Sequence, residues 1–182
     1  MTQLEAKTIN VIRTIGHSTR PLKEFIHLLK TYSISLAADI RTVPRSRKNP
    51  QFNHDTLPGE LSRTNIEYRH LAGLGGLRKP ESVSINTGWR NLSFRGFADY
   101  MQTEEFTLNL DDLIKLVQTE KVALMCAEAV PWRCHRSLIA DALVIRGISV
   151  EHILSLTNHY SHKLTPWAKA EGLRITYPPE KP

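Results

Sequence analysis

Cysteine is scarce: the 182 residues contain two. So low a count excludes a disulfide-stapled scaffold, and both thiols are expected to stay reduced in the cytoplasm. Long apolar runs are missing as well. None approaches the length that spans a bilayer, so no membrane association is expected. No charged leader precedes an apolar stretch near the N-terminus, and no signal peptide is expected. The sequence has no internal repeat and no low-complexity tract. Acidic residues are the minority charge, 18 against 24 Lys and Arg, and the net charge of +6 favours an anionic partner, either a small molecule or a nucleic acid. The length falls in the usual range of one domain and allows a substantial core.

What is present is an alternation. Apolar and β-branched residues mark five short strands at Thr8–Ile15, Ile34–Ile40, Ile66–Leu71, Val122–Cys126 and Ser149–Leu154. Helical stripes lie between them. Phe25, Ile26, Leu29 and Tyr32 follow Pro21; Leu57 and Leu61 sit in a short helix over Asp55–Arg63; Phe97–Met101 begins another; Leu110, Leu113, Ile114 and Val117 define a longer one. Leu138, Ile139, Ala142 and Leu143 form the last, stopped by Gly147. This order predicts a single α/β domain over 1–182: three-layer and Rossmann-like, with a mostly parallel central sheet of about five strands and helices on both faces. The core is expected over about 8–154. The extension from about 155 to 182 reads as a short helix and an extended end. Residues 42–53 form a loop with two prolines, and the aperiodic stretch Arg78–Phe97 reads as a lid or binding segment.

In a parallel sheet the carboxyl ends of the strands lie along one edge, where ligands bind. The first strand ends in His17 and Ser18, the second in Asp39 and Arg41, and the third in His70 and a glycine turn with Gly75 and Gly76. The fourth ends in Cys126 and Glu128, with Cys134, His135 and Arg136 at the next helix start. A helix N-terminus favours anions and lowers a thiol pKa, so Cys134 is a candidate nucleophile with His135 as base, and Arg136 or Arg133 a candidate anion grip. Glu128, following a buried strand, is a candidate general acid or base that needs a partner among Arg41, Arg136 and His17. Arg41, Arg45, Arg47 and Lys48 could contact phosphate, with Phe52 stacking on a base. Cys126, Cys134, His135 and His17 could instead bind zinc, but C-x7-C-H lacks the short spacing of common zinc modules. A C-x5-R phosphate cradle does not fit either thiol: the sixth residue after Cys126 is Trp132, and after Cys134 it is Ala140.

Five blocks together resemble one family: TIGHS (Thr14–Ser18), DIRTVPRSRKNPQFN (Asp39–Asn53), HLAGLGG (His70–Gly76), NTGWRNLSFRGFADYM (Asn86–Met101) and LMCAEAVPWRCHRSLIADAL (Leu124–Leu143) look like DUF488. The resemblance implies a small cytosolic α/β domain with motif positions at His17, Asp39, Arg41, Pro44, Ser46, Asn53, Gly75, Gly76, Cys126, Glu128, Cys134, His135 and Arg136. It brings no established catalytic role.

The resulting expectation is an enzyme acting on a phosphate-bearing or nucleotide-type substrate. His17, Glu128, Cys126, Cys134 and His135 are its candidate catalytic residues. Ser18, Asp39, Arg41, Ser46, Asn53, Gly75, Gly76 and Arg136 are its candidate substrate-binding residues. No cofactor is expected, zinc being the lesser alternative, and the chain is a monomer or a homodimer. Two other readings are a non-catalytic nucleic-acid-binding module using residues 41–48, with Trp89 and Arg90, and a structural or regulatory domain.

Overall fold

The computed structural model describes residues 11–179. The expectations for residues 1–10, including the first residues of the first strand, and for 180–182 lie outside the described residues. Five parallel strands form the sheet: β1 (Val11–Gly16), β2 (Leu36–Asp39), β3 (Glu67–His70), β4 (Val122–Cys126) and β5 (Ser149–Ile153). A sixth, β6 (His159–Ser161), adds antiparallel to β5, giving the order β3-β2-β4-β1-β5-β6. The central strands β2 and β4 are buried at every residue, as strands covered on both faces must be.

The strand period of two divides the core into two layers. On one face Ile15, Ala37, Ala123 and Met125 pack under α1 (Leu22–Thr31) and α2 (Leu57–Ser62). On the other, Ile12, Leu36, Ala38 and Leu124 pack under α3 (Leu92–Tyr100), α4 (Glu104–Thr119) and α5 (Arg136–Val144). This is the three-layer, Rossmann-like α/β arrangement expected. Among the described residues no helix is long and apolar enough to cross a membrane.

Two segments differ from expectation. The helix expected to begin at Phe97 begins at Leu92, because Asn91 caps it by accepting from the N–H groups of Ser93 and Phe94 at 2.9 and 3.2 Å. The stretch before it is no free lid. Buried Asp99 accepts from the Glu81 N–H, the Ser84 hydroxyl and the Asn86 amide at 2.9, 2.6 and 2.8 Å. The C-terminal segment contains no helix among the described residues. It supplies β6 and then a separate hairpin, β7 (Lys169–Glu171) and β8 (Arg174–Thr176).

One carboxylate anchors that segment. Asp141 on α5 is fully buried and accepts from His162 Nε2 (2.8 Å), from the Thr165 N–H and hydroxyl (2.9 and 2.6 Å) and from the Tyr177 hydroxyl (2.8 Å). The chain of bonds continues from His162 Nδ1 to His152 Nε2 (2.8 Å) and from His152 Nδ1 to Thr14 Oγ1 (2.7 Å). The carboxylate only accepts, so His162 donates to Asp141 through Nε2.

Burial, reinforced by His162 and Arg136, pushes the His152 imidazole down to about 3. The unfolded histidine takes up its proton near 6.5, whereas the folded one stays neutral to about 3, so stability falls as pH drops through this window. The expected slope well below pH 6.5 is about 1.4 kcal/mol per pH unit from this group. Urea melts between pH 7 and 4 should show it, and His152→Gln should flatten the dependence by one proton. An unchanged slope in the variant would reject the assignment.

Candidate functional site

A cavity of about 690 Å³ opens at the carboxyl edge of the strands, a size that holds a small ligand. Its lining includes His17, Ser18, Arg41, Ser46, Gly76, Cys126, Glu128, Cys134 and His135. The other candidates stand behind the wall. Asp39 holds Arg41, Asn53 Oδ1 accepts from the Ser46 N–H at 2.6 Å, and Gly75 lies against Thr42.

Arg41 reaches the cavity as half of a buried ion pair. Asp39 is fully buried and Arg41 nearly so. Nη2 of Arg41 lies 2.6 Å from Asp39 Oδ2, and Nε 2.9 Å from Oδ1. Nη2 also donates to the Phe52 carbonyl at 2.7 Å, and Tyr68 donates its hydroxyl to Asp39 at 2.7 Å. The pair is close to neutral as a unit. The positive charge at the mouth comes from Arg133 and from Arg45, which also pairs with exposed Asp55 at 3.3 Å.

His17 differs from the free base that its position suggested. The ring stacks on Phe52 with centroids 4.3 Å apart. Nδ1 donates to the Ser18 carbonyl at 2.8 Å, leaving Nε2 to accept from Arg41 Nη1 at 3.2 Å. Burial, opposed by the Ser18 bond and aided by the Arg41 charge, lowers its pKa, so the neutral ring positions Arg41. Phe52 is consequently core and offers no face to a base. Ser18, at the cavity wall, adopts a left-handed φ of 48°, a conformation that clusters at functional sites.

Arg136 is also placed differently from expectation. It is 1% exposed, and its guanidinium donates to the carbonyls of Glu128 and Ala129 at 2.7 and 3.0 Å. It therefore braces the loop after β4 instead of gripping an anion. Gly16 makes this brace possible: a Cβ there would sit 1.8 Å from the Glu128 carbonyl oxygen. The Glu128 side chain is exposed at the mouth, not buried among apolar groups.

The two thiols meet. Cys126 is held well below the ordinary thiol range by hydrogen bonding from Cys134, against burial and with help from His135 and the Glu128 N–H. Burial and the Cys126 sulfur push Cys134 the other way. His135 Nε2 lies 3.1 Å from the Ile40 carbonyl and 3.0 Å from that of Leu74. Both partners only accept, so Nε2 carries a proton, and Nδ1 is the ring nitrogen turned to the thiols. The ring lies against Gly76, where a Cβ would come within 2.3 Å of Nδ1.

Sequence reasoning missed Thr42, Asn49, Asn91 and Ser93 as lining residues. Asn91 carried a signal, a capping residue ahead of an apolar helix. Ser93 lies in the first turn of α3 beside that cap, and the loop residues Thr42 and Asn49 carry none, since they reach the site only through the folded path of the chain.

No curated protein and no solved structure matches the chain. The family model described as "Domain of unknown function DUF488" matches residues 21–143, a span that contains the basic loop, the glycine turn, both cysteines, His135 and Arg136. With most of its length covered by that model, the chain belongs to the DUF488 family.

Proposed function

We propose that the protein is an enzyme acting on a phosphate-bearing or nucleotide-type substrate in this cavity. The observation that carries the reading is one cavity whose lining combines Arg45 and Arg133 with a buried Cys126–Cys134–His135 cluster and the exposed carboxylate of Glu128. Two guanidinium groups at the mouth suit bidentate recognition of phosphate. Glu128 is free to carry a proton to or from the reacting group. The cluster supplies Cys134 or Cys126 as nucleophile if the reaction needs one, and the neutral His17 holds Arg41 in place beside it. Such a collection of perturbed, convergent side chains in one pocket is the usual mark of a reaction site.

The nucleic-acid-binding reading has less support. Phe52 is buried and offers no stacking face, and half-buried Trp89 packs against Phe94, Trp167 and Tyr177. It rests on the basic loop 41–48 with Trp89 and Arg90, and within that loop Arg41 is buried and committed to Asp39 at 2.6 Å.

Thermal unfolding against a panel of nucleotides and phosphate esters tests the proposal. A ligand at about a hundred times its Kd adds about 2.7 kcal/mol, a visible rise in Tm. At least one anion should raise Tm, and Arg133→Ala should abolish that rise. Glu128→Gln should keep the rise and lose turnover of the ligand so identified. No shift with any anion, or a shift unchanged in the Arg45→Ala/Arg133→Ala double variant, would overturn the reading.

A further inference from the structure

We infer that Cys126, Cys134 and His135 form a three-ligand site for a zinc-like divalent transition metal, with the fourth position open to the cavity. The three donor atoms lie within 4.8 Å of one another. The Cys134 sulfur stands 3.7 Å from His135 Nδ1. Around a tetrahedral zinc, with Zn–S of about 2.3 Å and Zn–N of about 2.1 Å, a sulfur and a nitrogen lie about 3.6 Å apart and two sulfurs about 3.8 Å. The observed S–N spacing therefore needs almost no adjustment, and the remaining donor, Cys126 Sγ, lies within 4.8 Å of both and closes on the ion by a small side-chain movement.

The surroundings point the same way. A ligating histidine characteristically gives its other N–H to a carbonyl or carboxylate, which fixes the tautomer and the ring. His135 Nε2 does this with two carbonyls, Ile40 and Leu74, and turns Nδ1 to the sulfurs. Gly76 provides the room for the ring to lie there. Cys134 is also anchored, receiving the Arg136 backbone N–H at 3.5 Å. His17, the fourth candidate by sequence, is excluded as a ligand because both its nitrogens are engaged, with Ser18 and Arg41.

Two thiolates and one imidazole suit zinc and the ions that replace it, and disfavour magnesium and calcium, which take oxygen ligands. Three protein ligands with an open position are the pattern of reactive zinc sites, whereas structural sites close with four. The open side here faces the cavity that Arg45, Arg133 and Glu128 share. A metal at this point would polarise a phosphoryl oxygen held by the two arginines. Its catalytic use, though not its binding, rests on the enzyme reading above.

Cobalt titration of the full chain, reduced with a phosphine and stripped with chelator, tests the site. The expected result is one equivalent of Co(II) bound, with sulfur-to-cobalt charge-transfer absorption and the intense visible bands of a tetrahedral ion, displaced by zinc. Cys126→Ser should weaken binding by more than about a hundredfold, beyond the loss typical of an outer-shell change. Gly76→Ala, which alters no ligand, should weaken it by displacing the ring, with the folded circular-dichroism spectrum kept. Arg133→Ala and Glu128→Gln should bind cobalt as the parent does, so that loss of anion binding or turnover in them is read separately from loss of metal. Absence of the charge-transfer band in the parent chain, or a band unchanged in Cys126→Ser, would overturn the inference.

Discussion

Arg41→Gln should destabilise the fold by about 3–5 kcal/mol, because it leaves the Asp39 carboxylate buried without its counter-charge. Asp39 is fully buried and relies on three atoms of Arg41, its Nε, Nη2 and backbone N–H, together with the Tyr68 hydroxyl. Glutamine cannot reproduce the fork that spans both carboxylate oxygens. The same change frees the Phe52 carbonyl and His17 Nε2, which Arg41 also satisfies. A double variant separates ion-pair loss from general damage. Asp39→Asn/Arg41→Gln removes both charges and should recover most of the loss, since the cost lies in the unpaired charge more than in the missing bonds. Denaturant melts of the two single variants and the double variant complete the cycle. Equal stability of Arg41→Gln and the double variant would show that the pair contributes through shape alone.

Gly16→Ala should cost about 3 kcal/mol or more, at the upper end of overpacking effects. The added methyl meets main chain, not a movable side chain: the Glu128 carbonyl oxygen at 1.8 Å, its carbon at 2.7 Å and the Ala129 oxygen at 3.0 Å. Those two carbonyls are the acceptors of the buried Arg136 guanidinium. Relieving the clash moves the loop off β1 and weakens both charged hydrogen bonds, each worth about 1.5–3 kcal/mol. The loop also carries the Glu128 N–H that bonds Cys126, so the change should reach the cysteine cluster and any ligand shift measured there. Gly59→Ala provides the control. A Cβ at Gly59 meets nothing within 4 Å in α2, so that change should be neutral or stabilising by up to about 1 kcal/mol. If Gly16→Ala melts as the parent does, Gly16 is not what admits the loop.

Five strands and most helices were legible because hydrophobic period is local information. Val122–Cys126 is apolar at every residue, and a run bounded by charge reads as a buried strand whatever else the chain does. The convergence of His17, Arg41, Cys126, Cys134 and His135 on one cavity was legible too, since parallel strands deliver their ends to one edge. The path of the C-terminal segment was not. Its order depends on Asp141 gathering His162, Thr165 and Tyr177 from positions up to 36 residues away, and no spacing in the sequence encodes those bonds.

Residue types therefore settled which groups are present at the site, and the tertiary structure assigned their tasks. Arg136 and Arg133 look alike in sequence, yet Arg136 is spent on the carbonyls of Glu128 and Ala129 while Arg133 faces the cavity. His17 and His135 both follow strand or loop ends. His17 has both nitrogens engaged with Ser18 and Arg41, whereas His135 turns one to the Cys134 sulfur. The physical reason is the same in each case. A buried polar atom must find a partner, the partner is set by which backbone passes within about 3 Å, and that distance exists only in the folded chain.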